Sequence, residues 1–139
     1  MALREALSAL LTESTAIAAI VGSKVYDGIA PPGTLDPYVT YDVFSPDEIP
    51  TFDGGTEPTR STVVQLKGWA RDAATRATLA AALRERMRGW RSYQDRFGVL
   101  VRRAYKRLDE PQEEPSDDGR PLPWLANVQR WEVWHTDTA

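Results

Sequence analysis

Cysteine is absent from this chain, and histidine occurs once, at His135. The first absence excludes a disulfide scaffold, thiolate zinc ligation and a cysteine nucleophile, and it fits a reducing compartment. A single histidine excludes any HExxH helix and leaves His135 as the one possible base of a serine–histidine arrangement. The single histidine reads as a solvent-facing strand end rather than a catalytic group or metal ligand. A long apolar run is missing too. Ala6 to Val21 is the most apolar stretch, but Thr12, Glu13, Ser14 and Thr15 interrupt it, and it is too short to cross a bilayer. It also lacks the basic start and cleavage pattern of a secretory signal, so the expectation is a cytoplasmic protein with no membrane partner.

The remaining chemical motifs are incomplete. Gly54-Gly55 has no GK[ST] ending and so makes no phosphate loop. Ser116-Asp117-Asp118-Gly119 resembles part of a calcium loop but lacks the alternating ligand spacing and the distal glutamate. Glu113, Glu114, Asp117 and Asp118 pair carboxylates on a stretch where nothing desolvates them or fixes their separation. The expectation is therefore a protein that is not an enzyme and uses no cofactor and no metal.

What the chain does have is enough apolar material for one core: 139 residues, 42% of them hydrophobic. Its most organised stretch is Arg60 to Trp90. Val63, Val64, Leu66 and Trp69 have the composition of a strand. Asp72 is a natural N-cap for the helix that follows. On that helix Ala73, Ala77, Leu79, Ala80, Leu83 and Met87 are expected on one face, and Gly89 is expected to stop it in the left-handed region.

The rest is expected to pack on this unit. Leu3, Leu7, Leu10 and Leu11 form the stripe of a first helix. Ser14 or Thr15 restarts the chain as a short second one, ended by Gly22. Lys24 to Tyr26 is a brief strand before the Asp27-Gly28 turn. Tyr38 to Phe44 is a clear strand, with Val39, Tyr41 and Val43 as its core face. Phe97 to Tyr105 and Trp124 to His135 complete the strands. The fold class is α+β: a mainly antiparallel sheet of about four to five strands, backed by an N-terminal helix and one central helix. One domain spans 1–139, with mobile loops at about 45–59 and 109–123, both acidic and proline-bearing.

Net charge is only −3, yet from Arg71 to Arg107 there are 11 basic and 3 acidic side chains, and both flanks are acidic. Opposite-signed surfaces of this kind can steer identical subunits head-to-tail. Tryptophan and arginine are also enriched at protein interfaces. Trp69, Trp90 and Trp131 are explained by the core, whereas Trp124 and Trp134 are harder to bury in a monomer. The candidate interface residues are Arg84, Arg86, Arg88, Arg91, Arg102, Arg103, Trp124 and Trp134, with Asp47, Glu48 and Asp53 on the acidic side. The alternative use of the Arg84–Arg107 basic face is DNA binding by a small accessory protein.

The order of these pieces carries a resemblance. Val21-Gly22 is followed by Val25-Tyr26 and then by Pro37-Tyr38-Val39-Thr40-Tyr41. Val64-Gln65-Leu66 leads through Trp69-Ala70 into a helix, and an aromatic strand ending Trp-Glu-Val-Trp-His closes the chain. From about Leu3 to His135 this resembles the tail-completion, or tail-terminator, proteins of long-tailed bacteriophages, prophages and gene transfer agents. The resemblance implies a structural virion protein at the head–tail junction, made in the bacterial cytoplasm. It implies a ring, typically hexameric, that caps the tail-tube protein, ends tube polymerisation and joins a head-side connector or neck protein. Double-stranded DNA would pass only as cargo. The 45–59 loop becomes a candidate for axial contacts, and the basic region and acidic loops become candidate complementary faces. Another head–tail connector role is the nearest alternative.

Overall fold

A computed structural model describes residues 2–31, 34, 37–44, 47–49, 59–90, 99–114 and 124–137. In chain order the elements are α1 (Ala2–Thr12), α2 (Thr15–Val21), β1 (Val25–Asp27), β2 (Tyr38–Val43), β3 (Asp47–Ile49), β4 (Thr59–Ala70), α3 (Ala73–Arg88), β5 (Val99–Glu114) and β6 (Trp124–Asp137). Five strands form one path, β1-β2-β4-β6-β5, and β3 pairs with the start of β4. Only β1 and β2 are parallel; the other pairings are antiparallel, as expected. The register of β4 on β6 is unbroken from Thr59 opposite Thr136 to Ala70 opposite Leu125.

Alternation along the long strands decides which side is core. Thr62, Val64, Leu66, Gly68 and Ala70 of β4 are buried, while Val63, Gln65, Lys67 and Trp69 are half-buried on the other face. Val39 and Tyr41 of β2 join the buried side, as do Trp131 and Val133 of β6 and Val99 and Val101 of β5. The helices cover this face. Leu3, Leu7 and Leu11 of α1, Ile17 and Val21 of α2, and Leu79, Leu83 and Met87 of α3 supply its other half. Each fully buried leucine contributes about 1.5–3 kcal/mol relative to exposure.

Capping sets the helix boundaries. Ser14 accepts from the Ile17 N–H, and Gly22, at φ 64°, ends α2 in the left-handed region. Asp72 Oδ1 accepts from the Thr75 N–H at 2.7 Å. That bond holds the Asp72 carboxyl below its ordinary value. Gly89 departs from expectation: its φ is −88°, and α3 ends instead on bonds from the Gly89 and Trp90 N–H groups to Glu85 and Met87. Ala73 and Ala77 are exposed, because the buried stripe of α3 begins at Leu79.

Both expected loops contain strand. Asp47–Ile49 forms β3 against Thr59–Ser61, using the pairing edge that β2 leaves vacant beyond Val43. The acidic stretch from Asp109 is strand as far as Glu114, because β6 starts at Trp124 and offers partners from Trp124 to Gln129. Pro111 fits there since β5 is an edge strand, where a missing N–H need remove no ladder bond. The expected loop segments 50–58 and 115–123 lie outside the described residues.

Candidate functional site

Among the described elements, no helix packs on the second face of the sheet, and that face is rich in aromatic and charged groups. Tyr38 stacks on Trp69 with ring centroids 5.8 Å apart and planes 17° from parallel, and Tyr26 meets Tyr38 edge-on at 6.4 Å. Lys67 Nζ lies 5.6 Å from the Trp69 ring centre, and Trp69 Nε1 donates to Thr40 Oγ1 at 3.2 Å. Further across the sheet, Arg130 Nε donates to Gln65 Oε1 at 2.8 Å, and Ser61 and Arg107 both bind Glu132. Phe44 and Tyr105 are 44% and 40% exposed. Offset aromatic stacks and cation–π contacts keep such side chains ordered while each remains partly exposed.

Electrostatics reinforce the order. Burial pushes the Glu132 carboxyl up, but the bonds from Ser61 and Arg107 and the Arg107 charge outweigh it and leave it below its ordinary value. Asp109 behaves in the same way. Burial raises it, and bonds from Arg84 and Asn127, with the charges of Arg84 and Lys106, pull it below the usual carboxylate range. Arg84 is correspondingly raised, chiefly by its bond to Asp109.

The basic cluster divides into two groups. Arg84 Nε binds Asp109 Oδ2 at 2.7 Å, and Arg86 Nε donates to the Leu10 carbonyl at 2.8 Å, tying α3 to β5 and to α1. These two arginines hold the fold. Arg88, Arg102 and Arg103 are exposed. Arg88 meets Glu85 at 3.2 Å, Arg102 Nε donates to Thr136 Oγ1 at 3.1 Å, and Arg103 lies over the Tyr105 ring at 5.1 Å. Where α3 ends beside β5, Arg88, Arg103 and Lys106 line a recess of about 370 Å³ together with Trp90, Tyr105 and Trp131.

Trp134 is half-buried on the uncovered face. Trp124 opens β6, and Asp47 and Glu48 lie on β3, where only the backbone course is described. Arg91 and Asp53 lie outside the described residues. Trp90 and Trp131 are core, as expected, but Trp69 is not: it sits on the outer face, stacked on Tyr38. Parity carried the signal, since Val64 and Leu66 inward require Lys67 and Trp69 to alternate about them. The same count along the strands would have found Lys67 and Arg130. Nor is His135 the expected solvent-facing strand end: it is buried on β6, with Nε2 2.7 Å from Thr62 Oγ1. Among the described residues no group of three histidine or carboxylate side chains is placed to hold a metal ion.

A comparison with curated proteins finds no match. Among solved structures, a chain described as "Virion of native gene transfer agent (GTA) particle" is 22% identical, covering 90% of this chain and 89% of that one, with a TM-score of 0.56. At that identity the likeness speaks to the fold, and it covers nearly all of both chains. The model of the family described as "Tail completion protein gp17" matches residues 5–114, from the first helix through the last described residue of β5. That match spans the helix-covered core and the basic edge alike, and the chain belongs to the tail completion protein gp17 family.

Proposed function

We propose that this tail protein assembles with copies of itself as a ring, hexameric by the resemblance of its sequence. The ring caps the last ring of the tail tube, ends tube polymerisation and joins the tail to a head-side connector. Its place is the head–tail junction, and DNA passes through as cargo without being read. No catalytic step is assigned to it.

The observation that carries this reading is the two-sidedness of the sheet. One face is closed by three helices, whereas the other presents Tyr38, Trp69, Trp134 and Tyr105 with no described element over them. Ordered aromatic and arginine side chains held half-exposed are what a protein partner buries at the centre of an interface. The DNA-binding alternative has less support, since Arg84 and Arg86 are turned to Asp109 and to the Leu10 carbonyl.

Deletion of the gene followed by electron microscopy of the particles tests the proposal. Tails of uncontrolled length, with heads unjoined, are expected, and the purified protein should give a multimeric mass. Normal tail length with heads unjoined would point to a connector role instead. Unchanged tails and joining, with a strictly monomeric protein, would overturn the reading.

A further inference from the structure

We propose that neighbouring copies meet through opposite ends of the sheet, the cationic edge at β5 of one copy seating against the acidic groove between α1 and β1 of the next. The proposal rests on the ring reading above and names the two surfaces that would build it. Strand order places β1 and β5 at the two edges of the same sheet. A contact joining unlike edges is heterologous: it leaves each copy with one used and one unused surface, so it propagates from copy to copy, as a ring requires. A contact of one edge with itself would stop at a dimer.

The two edges differ in sign. From Val99 to Leu108, β5 carries Arg102, Arg103, Lys106 and Arg107 and no carboxylate, and Arg88 opens onto the same recess. Among the described residues Arg102 meets a hydroxyl and Arg103 an aromatic ring, and neither meets an acid. At the other edge, Glu5, Glu13 and Asp27 line an open groove of about 420 Å³. Its one lining cation, Arg4, is already bound to Asp27 and to the Val43 carbonyl. Glu5 and Glu13 are exposed.

The form of β5 suits recognition by side chains. A sixteen-residue edge strand invites indiscriminate pairing, and this one is blunted by its cations and by two register irregularities, at Val101/Arg103 and Lys106/Leu108. A partner is therefore selected by charge, with Trp90 and Tyr105 as the apolar floor, and the contact weakens with salt.

The absence of cysteine allows a direct test on the full chain. Thr12→Cys in the groove combined with Tyr105→Cys on β5 should give, on mild oxidation of purified protein or isolated tails, a ladder of covalent multimers ending at the ring. Each single variant has no thiol opposite its own in this contact and should stay without the cross-link. Arg103→Glu with Lys106→Glu should weaken self-association by at least roughly tenfold, as should Glu5→Lys with Glu13→Lys. The fourfold variant, with both edges reversed, should recover it. Absence of the ladder, or failure of the fourfold variant to recover assembly while its circular dichroism melt stays cooperative, overturns the contact. Tail-bound subunits without a ladder would defeat the contact and leave the tail function standing. A cross-linked ring that caps no tails would do the reverse.

Discussion

Arg84 Nε on α3 lies 2.7 Å from Asp109 Oδ2 on β5, so one ion pair fastens the central helix to the edge strand. Asp109 also accepts from Asn127 Nδ2 of β6 at 3.1 Å, and Lys106 Nζ stands 3.5 Å away. The carboxylate thus joins three elements where the sequence alone suggests a loop is starting. Asp109→Asn keeps the shape but leaves Arg84, whose side chain is 30% exposed, without its counter-charge. The expected cost is about 1–2 kcal/mol, at the low end for a charged hydrogen bond because water still reaches the guanidinium. A thermal melt should show Tm lower by roughly 3–8 °C. Arg88→Ala removes only an exposed pair and should shift Tm little; equal losses in the two variants would contradict the assignment.

Asp109 and Glu132 both sit below their ordinary values, 3.8 and 4.5, because their hydrogen bonds and cations outweigh burial. A carboxylate with a lowered folded pKa adds stability that is fully present above its unfolded pKa and is lost as pH falls toward the folded one. Stability from these groups should therefore be flat near neutrality and decline below about pH 4.5. Urea melts from pH 7 to pH 3 should show it, and Asp109→Asn should flatten part of the decline. A variant as acid-sensitive as the parent would remove Asp109 from this account.

At Gly68 α3 packs close against the sheet. A Cβ built there would stand 3.0 Å from Leu79 Cδ2, 3.1 Å from Leu79 Cγ and 3.3 Å from Leu83 Cδ1. Both leucines are fully buried, so neither has room to yield. Gly68→Ala should cost about 1–3 kcal/mol through overpacking, despite alanine's better fit to a strand. A crystal structure of the variant should show α3 displaced outward, and an unchanged Tm would argue that the helix slides freely.

Much of this architecture was legible in residue order. Asp72, Ser14 and Gly22 mark helix ends by local chemistry, and Val39, Tyr41, Leu66, Leu79 and Leu83 declare the core by periodicity. Local composition misleads where tertiary partners overrule it. Asp109 to Glu114 looks too acidic and proline-rich for a strand, yet Arg84 and Asn127 neutralise and hold its first residue, and β6 supplies the ladder. Residue type favours the core for Trp69, although the parity of Val64 and Leu66 sends it outward onto Tyr38. Of the candidate surface, the basic composition was visible, but its division was not. Arg84 and Arg86 differ from Arg88 only in what lies opposite them, and no sequence pattern states that.

Gln129 tests the same point in the core. Its amide is fully buried on β6; Nε2 donates to the Ala80 carbonyl of α3 at 2.9 Å and to Asn127 Oδ1 at 3.0 Å, while Oε1 accepts from Trp131 Nε1 at 3.0 Å. Donors and acceptors are matched on both sides, so the side chain stabilises only as an amide. Gln129→Leu orphans the Trp131 N–H and the Asn127 oxygen at about 1–3 kcal/mol for each group left unpaired. Gln129→Glu is more informative. Its carboxylate would face two acceptors, so its folded pKa should lie above the ordinary glutamate value of 4.5. With a raised folded pKa, the variant should be closest to the parent below that value and lose stability progressively as pH rises, the opposite of the trend set by Asp109 and Glu132. Parallel urea melts of parent and variant at pH 4 and pH 8 measure the difference, and a gap that does not widen with pH would mean that Gln129 is not held between these acceptors.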